Sequence, residues 1–340
     1  MTETPSRSPH QQLARLLFLH AQTGMHPGSG TALGTVDLPI QRERHTQWPI
    51  IPGSTLKGIL RDACRERAAE NHSEELEDAA EGDANRRVKR SRRRVANEDD
   101  ADLVAAFGPG KVDQQNGHAG ALSLTDARIL AFPVRSLKGV FAWVTCPAVL
   151  GRLARDLRLD ANSNGHGAAL SVTPLPGKDR AMCNQDGPLV VDSNKLLLEE
   201  FEFEVTGEAA GVATWIAQHA VSDAFTQERI KSHLVVLHDD DFTHFVRHAT
   251  EVVARVGLDY ERKTVKTGAL FYEEFLPPET LFYSVVLANP SRREGHGKSA
   301  ADMLGYLREN MPSVLQIGGD ETIGKGLCAV RLDAGKDGAK

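Results

Sequence analysis

The sequence predicts an α+β protein in which strands, helices and hairpins follow one another without a regular repeat. Residues 13–21 form a short apolar run that ends in a glycine-rich turn, as a buried strand does. From residue 55, apolar residues recur at helical spacing. Residues 270–276 and 281–287 are apolar runs joined by a Pro-Pro-Glu-Thr turn, which indicates neighbouring strands. This order favours α+β over a doubly wound sheet.

The other elements are predicted in chain order from the same signals. Ser54 is the expected N-cap of the helix that begins near Thr55, and Asp241 is the expected cap of a helix over residues 242–256. Further helices are expected at residues 148–157 and 300–310. Further strands are expected at residues 48–51, 121–132, 140–145, 196–205, 234–237, 315–317 and 327–332.

The length of 340 residues indicates about two domains or one elaborated domain, and we expect a single elaborated domain over residues 1–340. The polar N-terminus lacks the apolar core of a signal peptide, and the apolar runs are too short to cross a bilayer. We therefore expect a cytoplasmic protein with no membrane partner. The four cysteines are widely separated and form no Cys-x-x-Cys pair, which argues against structural zinc and for reduced thiols.

Two segments interrupt the predicted elements. Residues 70–100 carry an acidic block, an arginine-rich block and a second acidic group, with no apolar periodicity. A solvated helix extension or a disordered insertion is the expected structure, and an arm that binds nucleic acid is the alternative. Residues 158–195 are rich in Gly, Asn, Pro and Asp, which predicts a loop-rich excursion.

Two glycine-rich stretches invite a nucleotide-binding interpretation, and neither matches the motif that it suggests. Gly28, Gly30 and Gly34 are spaced one residue too widely for the dinucleotide fingerprint. The loop from Gly318 to Gly326 nearly matches a P-loop, but Gly326 follows Lys325 where Ser or Thr is needed. Gly318, Gly319 and Lys325 therefore stand either as a phosphate contact for RNA or as a tight turn between strands.

Isolated acidic and histidine residues are the candidates for catalysis. Asp37, beyond the first glycine turn, either holds a divalent cation near a phosphodiester or bonds its own backbone in a turn. His26 is a secondary candidate for proton transfer, with a structural role as the alternative. Glu273 is a second secondary candidate beside aromatic residues. His238, His244 and His248 have metal-like spacing without an evident further ligand.

A cationic stripe lies on the helix that follows Ser54. Lys57, Arg61 and Arg65 recur every four residues and so share one helix face. Such a face suits phosphate binding.

Several motifs follow one another over nearly the whole chain. They are His26-Pro-Gly-Ser-Gly through Asp37-Leu-Pro-Ile-Gln-Arg-Glu-Arg44, Ile51-Pro-Gly-Ser-Thr-Leu-Lys57-Gly-Ile-Leu-Arg61, Leu124-Thr-Asp-Ala-Arg128, residues 134–143, Gly268-Ala-Leu-Phe-Tyr-Glu-Glu274 and the Gly318 to Gly326 loop. Taken in this order, they resemble the RAMP superfamily of CRISPR effector proteins, and within it the repeated backbone subunits of type III-B complexes. Phe275 stands where a tyrosine is expected in that family.

The resemblance implies a ferredoxin-like, RRM-type core with insertions that include a β-hairpin thumb, for which residues 158–195 are the candidate. It implies a subunit that binds a crRNA guide, stacks in several copies in a helical array with other subunits of the complex, and cleaves single-stranded target RNA at regular intervals. It places the catalytic carboxylate on Asp37, with Mg²⁺ or Mn²⁺ as cofactor, and guide binding on Ser54, Thr55, Lys57 and Arg61.

Three other functions stay open at the level of sequence. A non-catalytic RNA scaffold of the same superfamily would use Asp37 only as a turn residue. A single-chain metal hydrolase would use the three histidines at 238, 244 and 248. An enzyme that processes crRNA would not need a stacking surface.

Overall fold

The structure is a computed structural model that describes residues 12–31, 35–78, 87–110, 117–159, 170–192 and 194–333. It is a mixed α and β fold with a large mixed sheet. The strands are β1 (Leu13–Ala21), β2 (Ile50–Ile51), β3 (Glu75–Asp78), β4 (Arg87–Arg90), β5 (Leu122–Leu124), β6 (Ala127–Arg135), β7 (Phe141–Thr145), β8 (Arg180–Met182), β9 (Lys195–Leu198), β10 (Phe201–Gly207), β11 (Leu234–Leu237), β12 (Glu251–Leu258), β13 (Val265–Phe275), β14 (Leu281–Ala288), β15 (Val314–Gln316) and β16 (Leu327–Leu332). The helices are α1 (Gly53–Ala69), α2 (Arg92–Asp99), α3 (Ala101–Phe107), α4 (Pro147–Leu157), α5 (Ala210–Ala220), α6 (Ala224–His233), α7 (Asp239–His248) and α8 (Ala300–Asn310).

The chain divides into two compact units, and the division falls inside β1 and β14. The larger unit comprises residues 16–52, 126–284 and 313–340. Its sheet has the strand order β15-β16-β1-β14-β6-β7-β11-β8-β10-β9, and β2 pairs with β6. The β7–β11 and β8–β10 pairs are parallel, whereas β1–β16, β6–β7 and β6–β14 are antiparallel.

Large apolar side chains fill the core of the larger unit. Phe18, Phe132 and Trp143 are buried on three of its strands. The indole N–H of Trp143 donates to the carbonyl oxygen of Glu279 at 2.9 Å, so its one polar atom is satisfied. Burial of such side chains supplies most of the favourable free energy of this unit.

The smaller unit comprises residues 1–15, 53–125 and 285–312 and is mainly helical. In it α1 contacts α2, α3 and α8, and the end of β14 pairs with β5. Leu56, Leu60 and Cys64 form the buried face of α1, as the helical spacing predicts. Ser299 and Asp302 cap α8 reciprocally, which fixes its first residue.

Many sequence-predicted elements are present close to their expected bounds. The predicted strands at residues 13–21, 234–237 and 327–332 match β1, β11 and β16, and the predicted helix at residues 300–310 matches α8. The single strand expected at residues 196–205 is instead the antiparallel pair β9 and β10. The reversal between them includes Glu199, whose φ of 48° turns the chain.

The expectation that Ser54 is the N-cap of this helix is wrong. The helix α1 begins at Gly53, so Ser54 lies within its first turn. A Cβ at Gly53 would meet the carbonyl oxygen of Leu124 at 2.5 Å, which shows how closely the helix start packs on the backbone of that strand.

The expected helix at residues 242–256 ends early. The helix α7 covers Asp239–His248, with the ring of His238 accepting from the backbone N–H of Asp240, and residues 251–258 are strand β12. The apolar residues Val252, Val253 and Val256 continue a helix-like spacing, but they are β-branched and pair along β13. Pairing with a distant strand therefore overrides the local pattern.

The expectation for residues 70–100 is also wrong where the structure describes them; residues 79–86 lie outside the described residues. The strands β3 and β4 pair antiparallel, and Ser91 caps α2 through the N–H of Arg94. The guanidinium of Arg90 lies 2.8 Å from the carboxylates of Glu98 and Asp99. Opposite charges are paired within the fold rather than solvated, which disfavours a free basic arm.

Residues 158–195 are only partly described, since 160–169 and 193 lie outside the described residues. The strand β8 in this segment joins β10 and β11 of the main sheet. A separate hairpin instead forms from β12 and β13, which make a two-stranded sheet of their own among the described strands. Among the described residues, no helix is both long and apolar enough to span a membrane.

Candidate functional site

The loop that carries Asp37 lies against β13 in the larger unit. The backbone N–H groups of Asp37 and Leu38 donate to the carbonyl oxygen of Tyr272 at 3.1 and 3.0 Å. The N–H of Glu274 donates in turn to the carbonyl oxygen of Leu38 at 3.0 Å. These bonds fix an irregular loop to a regular strand, as a functional loop on a rigid scaffold requires.

The side chain of Asp37 is exposed, and one of its two carboxylate oxygens accepts a hydrogen bond. Its Oδ2 accepts the backbone N–H of Tyr272 at 2.7 Å. Within the part of the chain that the structure describes, Oδ1 accepts no hydrogen bond. The side chain is thereby oriented while one oxygen faces solvent. This arrangement suits a carboxylate that binds a cation or a substrate group.

A buried carboxylate, Glu274, anchors the same loop. Its Oε2 accepts the backbone N–H of Ile40 at 3.0 Å, and its Oε1 accepts from the Arg42 guanidinium at 2.5 Å and the Thr250 hydroxyl at 2.8 Å. We call these four residues the Glu274 cluster. The Glu274 side chain is only 8% exposed, so its charge depends on these donors. The sequence pointed to the adjacent Glu273 as a candidate and gave no sign of the role of Glu274.

His26 and Glu273 lie together but are buried. The His26 Nδ1–H donates to the carbonyl oxygen of Glu274 at 2.7 Å, and Nε2 lies 3.7 Å from Oε1 of Glu273. The Arg255 Nε donates to Oε2 of Glu273 at 3.0 Å, and Arg255 also pairs with Asp320. These contacts connect the His26 segment and the Asp320 loop with β12 and β13. Neither secondary candidate presents its side chain to solvent.

The loop from Gly318 to Gly326 is held by the segment that contains His26. The N–H of Gly319 donates to the carbonyl oxygen of His26 at 2.9 Å, and the N–H of Gly326 donates to that of Gly24 at 2.9 Å. These amides are therefore not available to a phosphate. The Lys325 ammonium lies 4.8 Å from the ring centre of Phe275, a cation–π contact within the fold. The geometry favours the turn over the phosphate contact.

Residue 318 in this turn should have to be glycine, because its φ is 93°. An added Cβ would overlap the carbonyl oxygen of His26. We expect Gly318→Ala to lower the free energy of unfolding by about 2–4 kcal/mol, measured by chemical denaturation. Gly324→Ala is the matched control, since Gly324 has a φ of 76° but open space around it. Equal losses in both variants would show that His26 does not constrain this turn.

The cationic stripe of α1 lies in the smaller unit. Ser54 is exposed, and Thr55, Lys57 and Arg61 are half-buried. Burial, together with the positive charges of Arg61 and Arg292, lowers the pKa of Lys57. Arg65 pairs with Asp62, whereas Lys57 and Arg61 have no carboxylate partner among the described residues. Two neighbouring cations of this kind favour binding of an anion such as RNA phosphate.

The sequence-predicted residues therefore fall into two groups. Asp37, His26, Glu273, Gly318, Gly319 and Lys325 belong to the larger unit, whereas Ser54, Thr55, Lys57 and Arg61 belong to the smaller unit. The metal site considered at His238, His244 and His248 gains no support, because the described residues contain no cluster of three or more potential metal ligands. The rings of His244 and His248 lie at an interplanar angle of 44°, and their centres are 4.8 Å apart.

Comparison with known proteins identifies relatives along almost the whole chain. The family model "RAMP superfamily" matches residues 18–329. The CRISPR system Cmr endoribonuclease Cmr4 of Pyrococcus furiosus is 38% identical over 322 residues, which cover 94% of this chain and 95% of that protein. A second relative, the CRISPR system CMR subunit Cmr4 of Saccharolobus solfataricus, is 26% identical and covers 92% and 94% of the two chains.

A solved structure agrees with the sequence comparison. The crystal structure of oligomeric Cmr4 from Pyrococcus furiosus superposes with a TM-score of 0.64 at 32% identity, covering 94% of this chain and 98% of that chain. The residues that the family model matches include both Asp37 and β13. The chain therefore belongs to the RAMP superfamily and, within it, to the Cmr4 family.

Proposed function

We propose that this chain is a guide-RNA-binding backbone subunit of a type III-B CRISPR antiviral complex and that it cleaves complementary target RNA at regular intervals. The Pyrococcus relative is named as an endoribonuclease of the Cmr system, and its crystal structure is described as oligomeric. The observation that carries the proposal is the exposed Asp37 carboxylate, held by β13 through one oxygen with the other facing solvent. Its partners are the crRNA guide, the target RNA, further copies in a helical stack and other Cmr subunits.

Within the fold, we assign the thumb to the β12–β13 hairpin rather than to residues 158–195, and we assign a ferredoxin-like core to the main sheet. Among the described strands the hairpin forms a sheet of its own, and it exposes large apolar side chains. Val256, Leu258 and Leu270 are each more than half exposed, and Tyr260 is 77% exposed. Exposed aromatic and aliphatic side chains of this kind suit contact with the faces of bases and insertion between them.

Guide binding is assigned to the α1 stripe. The side chains of Lys57 and Arg61 contact guide phosphates, which fixes position without reading sequence. Ser54 and Thr55, at the start of the same helix, supply hydroxyl groups to that backbone. Base pairing between guide and target then supplies the specificity.

Cleavage is assigned to the Asp37 loop, with a divalent cation, Mg²⁺ or Mn²⁺, as cofactor. The residues fit such an ion, since Mg²⁺ is commonly bound by one or two carboxylates plus substrate phosphates, and Asp37 offers one free oxygen. The ion would neutralise charge that develops on the cleaved phosphate. The Glu274 cluster holds the loop in place, and the buried His26 and Glu273 position its neighbours.

The proposed nucleophile is the 2′-hydroxyl of the target next to the cleaved linkage. Its oxygen forms a bond to phosphorus as it loses a proton to solvent, and the bond from phosphorus to the 5′-oxygen breaks as that oxygen gains a proton. The products carry a 2′,3′-cyclic phosphate and a 5′-hydroxyl. Asp37 keeps the reacting groups aligned, and alignment of this kind is a large contribution to the rate of cleavage.

A non-catalytic scaffold is the second candidate, and the hydrogen bond from Tyr272 to Asp37 favours it, since a purely structural aspartate would make that bond. An assembled complex tests the two. We expect cuts at regular intervals in a complementary target, loss of each cut when its 2′-hydroxyl is replaced by hydrogen, and loss of all cuts with EDTA. Unchanged cutting of the deoxy target would refute the mechanism, and an uncut natural target would support the scaffold.

A further inference from the structure

A cavity of about 470 Å³ opens beside the loop that carries Asp37. Three segments of the larger unit provide most of its lining: the Asp37 loop, the end of α7 and the start of β12. Protein pockets that bind small molecules have volumes of about 300–1,000 Å³, so one nucleotide fits and a duplex does not. The lining residues that the argument uses are Val36, Pro39, Arg247, His248, Val252 and Glu274.

The cavity is positive in charge. Its one carboxylate, Glu274, is already neutralised by Arg42 and bonded by Thr250. The exposed Arg247 forms no ion pair with any carboxylate that the structure describes. Burial and the neighbouring positive groups His244, Arg247 and Arg42 lower the pKa of His248, so its neutral ring can donate or accept a hydrogen bond. The lining therefore favours an anionic group near Arg247.

The cavity also has an apolar side. Val36 and Pro39 line it from the Asp37 loop, and Val252 lines it from β12, with half of the Val252 side chain exposed. Aliphatic side chains of this kind pack against a ribose or the face of a base. Apolar walls together with one unpaired guanidinium match a nucleotide better than they match a free inorganic ion.

The cavity and Asp37 meet β13 at neighbouring positions. Asp37 bonds β13 at Tyr272, and the cavity meets β13 at Glu274, two residues farther along. Residues two apart on a strand point to the same face and lie about 7 Å apart. This separation is comparable to the length of one nucleotide in an extended strand.

We infer that this cavity is a nucleotide subsite, which holds the target-RNA nucleotide next to the linkage at Asp37. The phosphate of that nucleotide lies at Arg247 and His248, and its ribose and base lie against Val36 and Val252. The inference rests on the proposed function and deepens it, since it names the residues that place the target strand relative to the carboxylate. Arg247 and Val252 are thus positioning residues.

Photocrosslinking in the assembled complex tests the subsite without requiring cleavage. A complementary target carries 2′-deoxy groups at the cut sites and a single 4-thiouridine immediately beside one of them. We expect ultraviolet crosslinks to map to residues 35–39 or 246–252 by peptide mass spectrometry. Arg247→Ala should lower the yield about five- to tenfold, as loss of one charged phosphate contact would. Arg158→Ala, which removes an exposed arginine immediately after α4, is the matched control.

The outcomes separate this inference from the proposed function. Crosslinks that map elsewhere, or a yield that Arg247→Ala leaves unchanged, overturn the subsite. Crosslinks at the predicted peptides in a complex that fails to cut a natural target retain the subsite and refute cleavage. A complex that binds no complementary RNA overturns both.

Discussion

An Asp37→Asn subunit, assembled with its guide and partner subunits, is expected to bind complementary RNA normally and to cleave it at least about a hundredfold more slowly. Loss of one group that stabilises developing charge typically costs two to three orders of magnitude in rate. Asparagine keeps the size of the side chain, and its amide oxygen still accepts the N–H of Tyr272. The loop therefore stays on β13, and the charge alone is removed.

Single-turnover cleavage and filter binding, measured on the same preparation, separate the two effects. Asp240→Asn is the matched control, because it removes a carboxylate that is 78% exposed at the start of α7 and should change neither quantity. Asp37→Ala adds the loss of the hydrogen bond to Tyr272, so any further fall in rate measures the contribution of loop position. An Asn variant that cuts at the natural rate would leave Asp37 with only its structural bond and favour the scaffold.

The sequence was sufficient for elements whose signals are local. The apolar run of β1, the apolar pattern of α8 and the buried face of α1 each depend on side chains near one another in the chain. The Asp37 assignment, by contrast, came from the resemblance to a family. The local residues allowed both a turn and a catalytic role, and the structure shows a carboxylate that bonds the backbone while one oxygen faces solvent.

Elements and sites set by distant contacts could not be predicted. Residues 251–256 satisfy a helical pattern, and only pairing with β13 makes them a strand. The charged segment forms an ordered hairpin and helix because Arg90 meets three carboxylates, a geometry that composition does not reveal. Glu274 and Arg42 are 232 positions apart, so no spacing rule indicates their contact. The adjacent pair Glu273 and Glu274 was the one available signal.

The Glu274 cluster provides the prediction with the largest effect on stability. Replacing Glu274 by alanine leaves the Arg42 guanidinium, which is 16% exposed, without its carboxylate, and leaves the N–H of Ile40 without its acceptor. Removing one partner of a buried ion pair costs about 3–5 kcal/mol, because the remaining charge stays desolvated. We expect a loss of that size in the free energy of unfolding, measured by chemical denaturation of the isolated subunit.

Two comparisons identify the cause of that loss. Glu204→Ala on β10 removes an exposed partner of Arg180 and should cost less than about 1 kcal/mol. Glu274→Gln preserves the shape and one acceptor but not the charge, so its loss should fall between the two. Because Ile40 and Arg42 belong to the segment that carries Asp37, Glu274→Gln should also slow target cleavage in the complex while guide binding by α1 is unchanged. Cleavage and stability that both match the natural protein would show that the Asp37 loop is held by its backbone bonds to β13 alone.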